Sequence, residues 1–220
     1  MNVDFSETVD IPIWNRNHHL NKQFHPYIRA FARNCVGTVL DIGCGTKPHM
    51  DWFEDVDEYI GLDVYAEGNS VDFLASGMEL PVQSNSIDYV VSTQVLEHLP
   101  DPSEFFTEVH RVLKAGGQAF ISTNQMYPLH EIPNDYFRFT RYGLRELTKS
   151  SGMIDVGVVE SGNLMTRVCC ELNYTISEFL PSPFSKGAIA IVNLISELLT
   201  HLEHREDYIV TAILTEKPDY

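Results

Sequence analysis

The sequence predicts an α/β fold, a mainly parallel sheet wound with helices on both faces. Three observations predict it. Short β-favouring runs alternate with stretches of helical period, as in a chain of β-α-β units. The first strong strand, VLDIG at 39–43, runs straight into a Gly-x-Gly turn. An acidic residue, Asp63, closes the second strand 20 residues after Gly43, the spacing at which this architecture meets a ribose.

The elements follow in order. Residues 19–34 carry a helical pattern in which Pro26 kinks the helix or marks a boundary. Strands are expected at 36–43, 58–64, 71–76 and 87–94. Residues 102–117 read as a helix with Phe105, Phe106, Val109, Val112 and Leu113 on one face, stopped by glycine. A fifth strand is expected at 118–124, a helix at 140–152, a sixth strand at 154–162 and a last one at 207–217. Between the last two strands lies an apolar, helix-prone stretch, 164–203, longer than a plain connection requires. No internal repeat or low-complexity tract divides the chain, so 1–220 reads as a single domain, with 1–35 as an N-terminal helical cap and 164–203 as a helical insertion.

Composition narrows the function. The 220 residues carry a formal net charge of −16 with 21% charged residues, and the few Lys and Arg form no cluster. A field of that sign repels phosphate backbones and argues against nucleic acid as substrate. The four cysteines, Cys35, Cys44, Cys169 and Cys170, include no CxxC pair, which argues against a structural zinc site and for a reducing, cytoplasmic setting. MNVDFSETVD lacks the apolar centre of a signal peptide. The segment 187–203 is too short and too interrupted by Asn193, Ser196 and Glu197 to span a bilayer.

The turn VLDIGCGTKPH poses a ligand question. A strand, a glycine turn and a helix starting near Lys47 or Pro48 would ring one small space with backbone N–H groups. A dinucleotide site needs a third glycine where this chain has Pro48, and a P-loop needs a GK[ST] ending that is absent. A pyrophosphate is therefore disfavoured while Asp63 still suits a ribose. S-Adenosylmethionine meets both conditions, having a ribose and no phosphate.

The series VLDIGCG (39–45), GLD (61–63), ELP (79–81), SIDYVV (86–91), VLEHLPD (95–101) and LKAGG (113–117) resembles the class I S-adenosylmethionine-dependent methyltransferases, most nearly their type-11 small-molecule branch, over residues 36–125. The resemblance implies a Rossmann-like, seven-stranded sheet with an antiparallel last strand. It implies that Asp41, Gly43 and Gly45 hold the methionine end of the cofactor and that Asp63 takes the ribose. Ser76, Gly77 and Met78 would run along the adenine, and Gln94 would lie near the transferred methyl. Ser76 stands where the family often has aspartate, a weaker acceptor for the adenine amine. Glu97 and His98 look like a metal pair, but VLEHLPD is usual for the family, so they are expected to cap and pack, with no metal.

Beyond the fifth strand, NQMYPLHEIPNDYFRFTRYGL at 124–144 packs ionisable and aromatic residues into a non-periodic run at the strand ends, where this fold binds ligands. PLHEIPNDYFRFT resembles a subgroup associated with glycan and polysaccharide biosynthesis. His130 is the first candidate base for a hydroxyl acceptor, Asp135 its orienting or substitute carboxylate, and Arg138 a ligand for an anionic group, with Tyr127 and Tyr136 also against the substrate. The NQMY string sits after the wrong strand to match the Asn-Pro-Pro-Tyr motif of nucleic-acid amine methyltransferases. The expected function is methyl transfer to a hydroxyl of a sugar, nucleotide-sugar or related metabolite. The alternatives are another small acceptor (carboxylate, amine or ring) and a non-catalytic cofactor-binding scaffold. The 164–203 stretch is read as a lid or a homodimer surface before a peripheral membrane contact, since its polar positions are poor in Lys and Arg.

Overall fold

The computed structural model describes residues 9–65, 70–199 and 209–219. Seven strands form one sheet: β1 (Gly37–Ile42), β2 (Val56–Asp63), β3 (Phe73–Leu74), β4 (Ile87–Thr93), β5 (Leu113–Asn124), β6 (Ile154–Ser161) and β7 (Val210–Glu216). Their spatial order is β3-β2-β1-β4-β5-β7-β6. β1 pairs parallel with both β2 and β4, whereas β7 pairs antiparallel with β5 on one side and β6 on the other. The fold is the mixed, doubly wound, Rossmann-like sheet expected, and the strand order reverses between β1 and β4.

Alternation along the strands sorts the core into two layers. Leu40, Ile42, Val90 and Ile121 face one side and pack with Phe105, Phe106, Val109 and Val112 of α2 (Pro102–Val112) and Leu144 of α3 (Arg141–Ser150). Val39, Val91 and Phe120 face the other side and pack with Phe24, Ile28 and Phe31 of α1 (His18–Ala32). Each fully buried phenylalanine contributes about 2–3 kcal/mol of transfer free energy. α2 starts where its sequence dictates: Asp101 accepts from the Ser103 and Glu104 amides at 3.0 and 3.1 Å, and Pro102 occupies the first turn.

Four expectations are corrected. The helix beginning at Pro102 ends at Val112, not at Gly117, because Leu113 turns extended (ψ 139°) and pairs with Ile87. The third strand is two residues long. α1 continues through Pro26. No α-helix starts at Lys47 or Pro48; the chain after the glycine turn makes only a single 3₁₀ turn, Met50–Trp52. The insertion is two helices, α4 (Leu164–Phe179) and α5 (Phe184–Leu199), parted at Pro181–Pro183. Its predicted tail, 200–203, and the first two residues of the predicted last strand, 207 and 208, lie outside the described residues, as does 1–8 of the N-terminal cap.

The two inserted helices are tied to the N-terminal segment. Asn193 donates to the carbonyls of Ile13 and Asn15, Asn173 to that of Arg16, and His18 and Lys22 meet Glu197. Ile191, Leu194, Ile195 and Leu198 of α5 remain more than half exposed. None of the described helices is long and apolar enough to cross a membrane.

Candidate functional site

A cavity of about 510 Å³ opens at the carboxyl ends of β1, β2 and β4, at the point where strand order reverses. One wall holds Gly43, Gly45, Asp63, Ser76, Gly77, Met78 and Gln94. The rest of the lining, from the segments after β4 and β5, is a second wall of His98, Leu99, Pro100, Glu131, Asn134 and Tyr136.

The first wall is built by a turn that only glycine can make. Gly43 has φ +75°, and a Cβ there would lie 2.1 Å from Val95 Cγ2. Its amide and that of Cys44 both donate to the Leu62 carbonyl at 2.7 and 3.1 Å, which seats the turn on β2. Asp63 completes the seat: Oδ2 accepts from the Gly45 amide at 2.9 Å and Oδ1 from the Tyr65 amide at 3.1 Å. Ser76 Oγ accepts from the Met78 amide at 3.2 Å, and a Cβ on Gly77 would press on Phe105 and Ile42. Gln94 holds a left-handed backbone (φ +58°), with its amide on the Ser122 carbonyl and its Nε2 on Ser122 Oγ.

Asp41 is not in the cavity wall. It sits in β1 between Gly61 and Val91, 4% exposed, with Oδ2 accepting from the Tyr59 hydroxyl at 2.7 Å. Burial pushes its carboxyl up to about 7.

The second wall rests on a buried carboxylate. β4 leads into a 3₁₀ turn, Leu96–His98. Glu97 there is fully buried and accepts from Thr123 Oγ1 at 2.8 Å and Asn124 Nδ2 at 2.5 Å. Burial raises its carboxyl above the ordinary range. Its carbonyl accepts from the Tyr136 and Phe137 amides, so the 3₁₀ turn, the end of β5 and the acceptor loop are fastened at one residue.

The acceptor loop brings some predicted residues together and commits others elsewhere. His130 meets His98 edge to face, ring centroids 4.6 Å apart, and Tyr127 at 5.1 Å. Its Nδ1 lies 3.2 Å from the Pro128 carbonyl and 3.4 Å from Asp135 Oδ2. Asp135, whose side chain is 2% exposed, accepts both Arg138 NH groups at 2.6 and 2.7 Å and the His130 amide at 3.0 Å. That guanidinium holds its carboxyl well below the usual carboxylate range. Arg138 also donates to the carbonyls of Tyr127, Pro128 and Phe137, so its donors are spent inside the loop rather than on the cavity. Tyr127 is turned toward Tyr174 of α4, and Tyr136 alone of the predicted substrate residues lines the cavity. His98, Glu131 and Asn134 were not singled out for the acceptor side. The heptapeptide VLEHLPD marked His98, but not that a loop 30 residues on would meet it.

Fold and cavity together define an architecture, a Rossmann-like sheet with a ligand crevice where the strand order reverses. Residues 40–121 match the family described as methyltransferase domain. The chain is 34% identical over 150 residues to a protein of Mycolicibacterium smegmatis described as a probable S-adenosylmethionine-dependent methyltransferase, covering 62% of this chain and 56% of that one. It is 33% identical over 125 residues to the demethylmenaquinone methyltransferase of Listeria welshimeri, covering 46% and 52%. The chain thus spans just over half the length of these curated relatives. Among solved structures, an S-adenosylmethionine-dependent methyltransferase from Mesorhizobium loti shares the fold with a TM-score of 0.60 at 16% identity, over 92% of this chain and 100% of that one. All four are described as methyltransferases, and those of M. smegmatis and Mesorhizobium loti as S-adenosylmethionine-dependent.

Proposed function

We propose that this protein transfers a methyl group from S-adenosylmethionine to a hydroxyl of a small acceptor, a sugar, nucleotide-sugar or related metabolite. The supporting observation is the two-walled cavity. Its first wall offers a glycine turn with no room for a Cβ and a carboxylate at the end of β2, which suits an adenosine with a short amino-acid tail and no phosphate. Its second wall sets His98, Glu131, Asn134 and Tyr136 beside Leu99 and Pro100, and no Lys or Arg is among the cavity's lining residues. An acceptor presenting uncharged hydroxyls to His98, Glu131, Asn134 and Tyr136 fits that wall better than one presenting a phosphate or carboxylate.

Bound cofactor supplies an electrophilic methyl on sulfur, and the protein supplies alignment and activation of the acceptor. In this reading Gly43, Gly45 and Asp63 fix the cofactor, with Ser76, Gly77 and Met78 along its base, and Asp41 acts through Tyr59 and the turn. Gln94, held in its left-handed backbone, faces the junction of the two walls. The acceptor hydroxyl is activated at the His98–His130 corner. His130 is the residue on which activation depends, and Asp135, with Arg138 behind it, orients its ring. A glycan acceptor rests on the PLHEIPNDYFRFT resemblance. A ring acceptor is the second reading, favoured by the likeness to the Listeria enzyme.

Calorimetric titration with S-adenosylmethionine and, separately, NAD tests the cofactor, and transfer of labelled methyl to a sugar and nucleotide-sugar panel tests the acceptor. Saturable binding of the first ligand alone is expected. Binding of neither, or of NAD, would end the proposal and bring the scaffold reading forward.

A further inference from the structure

Three residues at the acceptor corner make a second kind of site. Glu97 and His98 come from the 3₁₀ turn after β4, and His130 from the loop after β5. One donor atom from each lies within 4.8 Å of the other two. The imidazoles are set up alike. His98 Nδ1 lies 2.7 Å from the Asn134 carbonyl, and His130 Nδ1 lies 3.2 Å from the Pro128 carbonyl with Asp135 Oδ2 just beyond. A carbonyl beside Nδ1 selects the tautomer with the proton there, which leaves the Nε2 lone pair of each ring available. Nε2 has no hydrogen-bond partner in either ring among the described residues. Carbonyl or carboxylate behind Nδ1 is the arrangement by which metal-binding histidines are oriented.

Glu97 supplies the independent observation. It is fully buried, yet among the described residues no Lys, Arg or His nitrogen lies within ion-pair distance of it; Arg138 is committed to Asp135. Thr123 Oγ1 donates to one oxygen and Asn124 Nδ2 to the other. A cation placed beside such a buried carboxylate with neutral donors would favour its charged form.

We propose that Glu97, His98 and His130 bind one divalent transition ion of the zinc class. Two imidazoles and a carboxylate suit Zn²⁺, Co²⁺ or Fe²⁺ better than Mg²⁺ or Ca²⁺. Ligands about 2.1 Å from such an ion lie no more than about 4.2 Å apart, so modest rotation of the half-buried rings closes the site. His98 lines the cavity, so the remaining coordination positions face the acceptor. This deepens the methyl-transfer reading and rests on it for its chemical role. The ion holds the acceptor oxygen and lowers its pKa, and the hydroxyl proton leaves to water. The O–C bond then forms as the S–C bond of the cofactor breaks, its electron pair staying on sulfur.

The test is Co²⁺ titrated into chelator-treated, dialysed protein without S-adenosylmethionine, read by visible absorption and by bound metal per chain, with Zn²⁺ as competitor. One ion per chain is expected, displaced by Zn²⁺. His98→Gln and His130→Gln should each weaken uptake by more than about tenfold, with circular dichroism unchanged, while His110→Gln on α2 should leave uptake as it was. Absence of saturable one-to-one uptake, or uptake undiminished in the His98→Gln/His130→Gln double variant, would overturn the site. Cofactor binding is read separately by calorimetry on the same proteins. Failure there with cobalt retained would count against the methyltransferase reading alone, and the reverse pattern against the metal alone.

Discussion

Replacing Asp41 by asparagine should stabilise the protein more at pH 8 than at pH 5. Asp41 is 4% exposed in β1, and among the described residues the Tyr59 hydroxyl donates to its Oδ2. Burial, opposed in part by that hydrogen bond and by Lys47, moves the carboxyl from an ordinary 3.8 to about 7. A carboxyl raised in the folded state favours folding most below its unfolded value, where both states are protonated. That contribution is lost as pH rises from about 4 to about 7, since the unfolded chain ionises first. Between pH 5 and pH 8 about two pH units of that window are crossed, so this group should remove roughly 3 kcal/mol from the native chain. Asparagine mimics the protonated side chain and cannot ionise, so the variant should lose that slope. Urea unfolding of both proteins at pH 5, 6.5 and 8 measures it directly. Other carboxylates contribute to both curves and cancel in the difference. Parallel pH dependences, with a stability gap that stays constant, would refute the assignment of a buried, largely protonated Asp41.

Four further outcomes are expected. Gly43→Ala puts a methyl into Val95 at a left-handed backbone position, so it should cost about 1–3 kcal/mol in urea unfolding and abolish S-adenosylmethionine binding by calorimetry. Asp63→Asn weakens a charge-assisted anchor of the turn and the acceptor for a ribose, and the cofactor Kd should rise about 10–100-fold. His130→Ala should lower kcat on any acceptor by about a hundredfold or more, while cofactor Kd moves less than about twofold; equal loss in both would make it a cofactor residue. Asp135→Asn breaks a pair whose carboxylate is 2% exposed, and the midpoint of urea unfolding should fall by the equivalent of about 3 kcal/mol.

The parts of the site that lie within one β-turn-β unit could be read from sequence. Gly43, Gly45 and Asp63 are set by local strand and turn chemistry, and their spacing survives into the cavity wall. What escaped depends on contacts between distant segments. Leu113 continues the helical pattern of α2, but its partner Ile87 draws it into the sheet. The glycine turn points to a helix starting near Lys47 or Pro48, but the chain there makes one 3₁₀ turn, Met50–Trp52. Arg138 looked free for an anion because nothing in FRFT shows that Asp135, three residues earlier, will take both of its NH groups. Glu97 and His98 pack as VLEHLPD suggests, but nothing local shows that a loop more than 30 residues later brings His130 beside them.

The left-handed backbone at Gln94 has a consequence for how this protein can be improved. A side chain there keeps a conformation that glycine would adopt without strain, so Gln94→Gly should relax the chain, while the amide that Gln94 aims at Ser122 from the cavity wall would be gone. Selection for heat resistance alone would reward that exchange. A library screened by survival of heating should therefore accumulate changes at 94 in clones that fold well and turn over poorly, and only a screen that scores turnover alongside melting would keep the glutamine.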